Sequence, residues 1–250
     1  MTSRLRVTQV PVRRLLVPVA LALTLVLIGS LGHAAILRGA TAHEAANRRV
    51  AMRIDGGMPP RAVLISDSAI SGIRWYGRQE HLTGTRWETY LESCRRLVVP
   101  SCRGREGYAP RTVVGELHDI RARLGPADAR DLLVIAVGYN DSESRFRSDV
   151  ADVLTAAHQV GFRRVVWLTY RVDNSYLAPG SGQVTDYGAM NAVLRHELDS
   201  GRWASLGLWD YNAAFAGHDE WFSSDGIHVT PDGATMVAKW LSGQLLRPLP

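Results

Sequence analysis

Four residues of this chain are of types that together can carry out nucleophilic catalysis: Ser68, Asn140, Asp225 and His228. A serine hydroxyl is inert at neutral pH unless a base takes its proton. His228 is the natural base. Asp225, three residues earlier, can accept from the other ring nitrogen and fix the tautomer. The side-chain amide of Asn140 can donate to an oxygen that gains negative charge. Each residue also has a plainer reading. Ser66-Asp67-Ser68 is a good helix N-cap sequence. Asn140, within Gly138-Tyr-Asn-Asp141, suits a turn. A histidine beside a helix start is commonly a surface or capping residue, and Asp225 could cap the last helix, although Thr230 is already placed for that. These plain readings must all hold at once for the cluster to mean nothing.

The elements around these residues bring them to one edge. Val63-Leu-Ile-Ser66 is a buried strand that delivers Ser68 to a tight turn. Asp131 to Val137 is a continuous apolar run, as in a central parallel strand covered on both faces. Arg164 to Thr169 and Leu206 to Asp210 read as two further strands, and Arg96-Leu-Val-Val-Pro100 as the second in chain order. Arg86 to Ser93 reads as a short helix. Longer helices are expected from Pro110 to Leu124, Ser144 to Val160 and Asp186 to Leu198, and a last one opened by Thr230 and Pro231. This alternation implies a five-stranded parallel sheet between two helical layers, a three-layer α/β/α sandwich. In such a sheet the segments after the first and third strands and before the last helix share the carboxyl edge.

Residues 1–42 read as a leader. Arginines 4, 6, 13 and 14 precede an apolar run from Leu15 to about Gly32, no acidic residue occurs before Glu44, and Ala40-Thr-Ala42 suits a signal peptidase. The run is also near the ~20 residues that span a bilayer. Residues 1–42 are therefore either a signal peptide or an N-terminal membrane anchor, with residues 15–37 as the attaching segment. Both place the rest of the chain outside the cytoplasm. Residues 43–60 form a spacer and 61–250 a single domain. Taking the five arginines of the leader from the 29 basic residues leaves 24, against 24 acidic ones. The body is thus neutral, and its charge gives no reason to expect nucleic acid. Cys94 and Cys102, an even pair in the exported part, are expected to form a disulfide; without nearby histidines they do not make a metal site.

Ser66-Asp67-Ser68 with Gly72, Gly138-Tyr-Asn-Asp141, and Asp225-Gly-Ile-His228 followed by Thr230-Pro-Asp-Gly233 resemble the blocks of the SGNH (GDSL-type) hydrolase superfamily over nearly all of the exported part. The glycine that usually opens the first block is Ser66 here. The resemblance implies a flavodoxin-like SGNH hydrolase fold, a triad of Ser68, Asp225 and His228, and oxyanion donors from the Ser68 N–H, Asn140 and either Gly104 or Gly107. It also implies no cofactor or metal, and a small-molecule, lipid or polysaccharide ester as substrate. The expected activity is that of an exported serine esterase cleaving short-chain or acetyl esters. An O-acyltransferase acting on envelope glycans, or a non-catalytic envelope-binding domain, are the alternatives. Trp75, Tyr76, Tyr176, Tyr187, Trp221 and Phe222 could form a sugar platform, with packing the favoured role.

Overall fold

The computed structural model describes residues 59–172 and 186–246. The chain divides into two units, Met1–Arg48 and Arg49–Pro250, and every described residue lies in the second. The expected leader, most of the spacer (all but its last two residues) and Tyr176 lie outside the described residues. Among those described, no helix is long and apolar enough to cross a membrane.

Five strands form one sheet: β1 (Arg61–Ser66), β2 (Arg86–Leu91), β3 (Leu132–Ala136), β4 (Arg164–Leu168) and β5 (Leu206–Trp209). The spatial order is β2-β1-β3-β4-β5 and every pairing is parallel. The helices are α1 (Ser68–Trp75), α2 (Val113–Leu124), α3 (Glu143–Val160), α4 (Tyr187–Asp199), the short α5 (Tyr211–Ala214) and α6 (Pro231–Leu246). The expected α/β/α sandwich is present. On one face Val63, Ile65, Leu133 and Ile135 pack with Leu117 of α2, Val150 of α3 and Leu194 of α4. On the other, Leu64 and Val134 pack with Ile70 and Ile73 of α1 and with Val237 and Leu241 of α6. Central strands buried on both faces have no polar side to show, so β3 and residues 62–65 of β1 are continuously apolar.

Three expectations are corrected. Arg86 to Leu91 is a strand, not a helix. It is the edge of the sheet, partly exposed along most of its length, and its Trp87, Thr89 and Tyr90 are side chains that fit a pleated, half-buried surface. Arg96-Leu-Val-Val-Pro100 is not a strand. Its Arg96 and Leu97 carbonyls accept from the Val113 and Val114 N–H groups, satisfying the start of α2, while the Leu97 N–H bonds the Asp141 carboxylate. That helix begins one residue after Thr112, whose hydroxyl accepts from the Gly115 N–H at 3.1 Å, rather than at Pro110.

Cys94 and Cys102 are joined in a disulfide, with Cα atoms 5.4 Å apart. Closing a loop of this size stabilises by about 2.5 kcal/mol on the chain-entropy account. Reduction is therefore expected to lower the melting temperature by ~5–10 °C. An unchanged melting temperature with both thiols confirmed free would contradict that.

Candidate active site

Sheet order reverses between β1 and β3, which continue to neighbours on opposite sides. That is where open α/β sheets leave a crevice beyond the strand ends. Asp67 and Ser68 follow β1 directly, and Gly138 to Asp141 follow β3.

Asp67 is the device that joins these two segments. It caps α1, accepting from the Ala69 N–H at 3.0 Å, so the capping reading of Ser-Asp-Ser is correct for the middle residue. Its other oxygen accepts from the Gly138 and Tyr139 N–H groups, both at 3.0 Å. Burial pushes the Asp67 carboxyl up, opposed by these three donors and by His228. Ser66, where the family's first block has glycine, is wholly buried. Its hydroxyl pairs with Ser71 Oγ at 3.2 Å, and Ser71 in turn donates to the Asp67 carbonyl. Gly138, at φ 151°, has the Tyr170 hydroxyl standing where a Cβ would be.

With Asp67 as cap, Ser68 occupies the first position of α1, and its Oγ lies 2.9 Å from His228 Nε2. His228 Nδ1 lies 2.5 Å from Asp225 Oδ2. The other oxygen of Asp225 accepts from the N–H groups of Ile227 (2.9 Å) and His228 (3.0 Å), which curls the loop around its own carboxylate. A bridge between Phe222 and Val229 closes that loop, and the Val229 N–H bonds the Ala69 carbonyl of α1 at 3.2 Å. The histidine loop is thereby fastened to the serine helix. Gly72 allows it: a Cβ there would lie 2.6 Å from Val229 Cγ2.

The electrostatics follow from these contacts. The Asp225 hydrogen bond raises the His228 pKa against the opposing effect of burial. Burial raises Asp225, but the donors from His228 and Ile227 outweigh it and bring the carboxyl down to about 2. The pair is thus arranged to hold a proton on His228 once one arrives. Arg171, buried, donates to the Gly226 carbonyl at 2.7 Å, pairs with Asp219 and lies over the Phe222 ring, bracing the same loop from behind.

Asn140 sits in the turn after β3. Its Nδ2 donates to the Arg95 carbonyl at 3.3 Å, leaving a second N–H, while its own carbonyl accepts from Arg96 Nε at 2.8 Å. Asp141 beside it is buried, which pushes its carboxyl up to about 7. Gly104 and Gly107, the expected partners of Asn140, are placed otherwise. The Gly104 N–H bonds the Tyr108 carbonyl and the Gly107 N–H bonds the Gly104 carbonyl, so both are committed inside their own turn. Gly104 is a glycine because it packs on Ser93, with no room for a Cβ.

Of the aromatic candidates, Tyr187 and Phe222 are buried, in keeping with packing. Trp75 donates to Glu106 and lies under the Arg105 guanidinium, and Trp221 stacks on His218. Among the described residues no group of three or more His, Cys, Asp or Glu could hold a metal.

Reading the sequence missed Arg95. Its side chain is wholly buried, donating to the Ser66 carbonyl at 3.2 Å and pairing with Glu92 and Glu116. No local signal marks it, since its partners Ser66 and Glu116 lie 29 and 21 positions away in sequence.

No protein-family model matches the chain, and no curated protein matches it in sequence. Solved structures do. A candidate SGNH hydrolase from Slackia heliotrinireducens is 19% identical, with 75% of this chain and 99% of that one covered at a TM-score of 0.50. A candidate GDSL-like lipase from Bacteroides ovatus is 13% identical, with 77% of this chain and 55% of that one covered, also at 0.50. At such identity the likeness speaks for the fold alone, and this chain has the fold of the SGNH and GDSL-like hydrolases.

Proposed function

We propose that the chain is a serine esterase of the SGNH hydrolase kind, cleaving O-acyl esters through an acyl-enzyme on Ser68. One observation carries this: the unbroken hydrogen-bonded chain from Ser68 Oγ through His228 to Asp225, at the carboxyl edge of the sheet. A binding domain has no use for that chain of contacts. In the reaction Ser68 Oγ attacks the ester carbonyl as His228 Nε2 takes its proton, and Asp225 steadies the imidazolium. The oxyanion is held by the Ser68 N–H and the remaining N–H of Asn140. His228 then passes the proton to the departing alcohol. Water, activated in the same way, releases the acid and frees Ser68. Acetyl esters are the substrates of first choice, carried by a small molecule, lipid or polysaccharide. A hydroxyl in place of water would make the same steps an acyl transfer.

The Cys94–Cys102 disulfide supports an extracytoplasmic setting for this chemistry, since such bonds persist in oxidising compartments. The basic, then apolar, pattern of residues 1–42 supports export by signal peptide or anchor, and residues 61–250 then form the hydrolase domain.

The test is p-nitrophenyl acetate with the full chain under pre-steady-state conditions. A burst of p-nitrophenol with the acetyl group recovered on the Ser68 peptide is expected. Steady release with no acyl-protein at any time would rule out the covalent route. Faster release when a sugar alcohol is added would favour transfer over hydrolysis.

A further inference from the structure

The oxyanion site as described has donors after β1 and after β3 but none after β2, although β2 flanks β1 on the other side. Gly104 and Gly107 are excluded by their own hydrogen bonds. The register pairs Ser66 with Leu91, so the chain leaving β2 at Glu92 to Arg95 emerges beside the start of α1. Within that segment stands Cys94, the sole non-glycine residue at positive φ (63°) among the described residues. A side-chain-bearing residue enters that region at a cost and needs something to hold it there. The disulfide to Cys102 is one restraint. The next residue is another, since Arg95 is fixed to the Ser66 carbonyl, to Glu92 and to Glu116, and its own carbonyl accepts from Asn140 Nδ2. Cys94 is thus one residue from a contact with each of the other two walls. Its N–H, like that of Arg95, has no hydrogen-bond partner among the described residues, whereas those of Ser93, Arg96 and Leu97 are bonded; of the two free amides, that of Cys94 belongs to the residue held at positive φ by the disulfide. Cys94 is half-buried, in a segment that leaves the sheet beside the strand that leads into Ser68, and an unpaired amide there is a donor awaiting a charge.

We propose that the Cys94 backbone N–H is the third oxyanion donor, and that the Cys94–Cys102 disulfide is a catalytic positioning element that keeps this amide turned into the site. The inference rests on the acyl-enzyme reading. The disulfide then does more than stabilise the domain: it replaces the conformational freedom that a glycine would supply at position 94. Because the amide would meet charge only as the tetrahedral oxyanion forms, its loss falls on kcat and leaves KM in place.

The experiment compares kcat and KM for p-nitrophenyl acetate across four preparations of the full chain, below the lowest melting temperature among them. These are the oxidised wild type, the wild type reduced with tris(2-carboxyethyl)phosphine and confirmed to carry two thiols, C94A/C102A, and C94G/C102A. Reduction and C94A/C102A are each expected to lower kcat by roughly 5- to 30-fold, the factor by which a non-glycine residue disfavours the left-handed region. KM should stay unchanged. C94G/C102A, free to adopt positive φ without a cross-link, should recover most of that loss and be indifferent to the phosphine. An unchanged kcat after reduction and in C94A/C102A overturns the proposal. So does a C94G/C102A variant that loses as much as C94A/C102A, because the bond would then matter only for general stability. Ester cleavage that reduction leaves untouched defeats this inference alone. Absence of cleavage by the oxidised wild type defeats the acyl-enzyme reading, and this inference with it.

Discussion

Ser68→Ala is expected to leave the chain folded and to lower kcat for ester cleavage by roughly 10^4- to 10^6-fold, the loss seen when a triad nucleophile is removed. The two halves of that result have separate causes. Folding is spared because Asp67, not Ser68, caps α1. The hydroxyl of Ser68 is engaged with His228, a half-buried partner that water can serve. Alanine at the first helical position is well tolerated, so the stability change should stay within ~0.5 kcal/mol. Activity collapses because, among the described residues, no hydroxyl other than that of Ser68 is hydrogen-bonded to His228 Nε2. Melting curves and p-nitrophenol release from the same preparations check both halves. Residual turnover within tenfold of wild type would mean that another group attacks the ester, and the mechanism would fall.

Asp225→Asn carries the second largest effect, a fall in kcat of ~10^4-fold, with a diagnostic change in pH dependence. The amide can still accept from the Ile227 and His228 N–H groups, so the loop should keep its shape. What it cannot do is stabilise a charged imidazole or hold the tautomer in which Nδ1 carries the hydrogen. In the wild type the Asp225 bond raises the His228 pKa. Only neutral His228 can accept the serine proton. Activity should therefore decline as pH drops through that raised value, above the ordinary histidine pKa of about 6.5. Removing the carboxylate removes the main cause of the rise, so the residual activity of Asp225→Asn should persist to lower pH than wild type. A profile whose acid limb stays in place, or moves to higher pH, would show that His228 is not the titrating base.

Most of this arrangement was legible in the sequence, for physical reasons that vary with the element. β3 and β4 are buried on both faces, so their runs of Leu, Val and Ile admitted one reading. The Asp225–His228 loop was legible because its contacts are local: a carboxylate can reach a histidine three residues on without knowledge of the fold. Asp67 was visible as a cap but not as a clamp, since its bonds to Gly138 and Tyr139 cross about 70 positions of sequence. The failure at β2 had a single cause. An edge strand with one paired side and a partly wet surface shows neither a clean alternation nor a continuous apolar run, and Arg86 to Leu91 resembled a short helix. A second strand at Arg96 to Pro100 puts the segment after it at Gly104 and Gly107, whereas the chain leaves β2 at Leu91, about ten residues earlier. Arg95 was missed because nothing local marks an arginine whose partners are Ser66 and Glu116.

The close approach of Gly72 to Val229 has a consequence for how the site can vary. Where the loop that carries His228 lies against α1, the space at Gly72 is filled by a hydrogen atom, and a Cβ there would stand 2.6 Å from Val229 Cγ2. The proposed proton path from Ser68 to His228 thus runs between two elements whose spacing is a manufacturing tolerance held by omission. A single methyl at position 72 acts as a shim, which Val229 must turn aside to accept or the loop must yield to by moving from the helix. Residues that never touch the substrate can in this way change the rate more than residues that line its path.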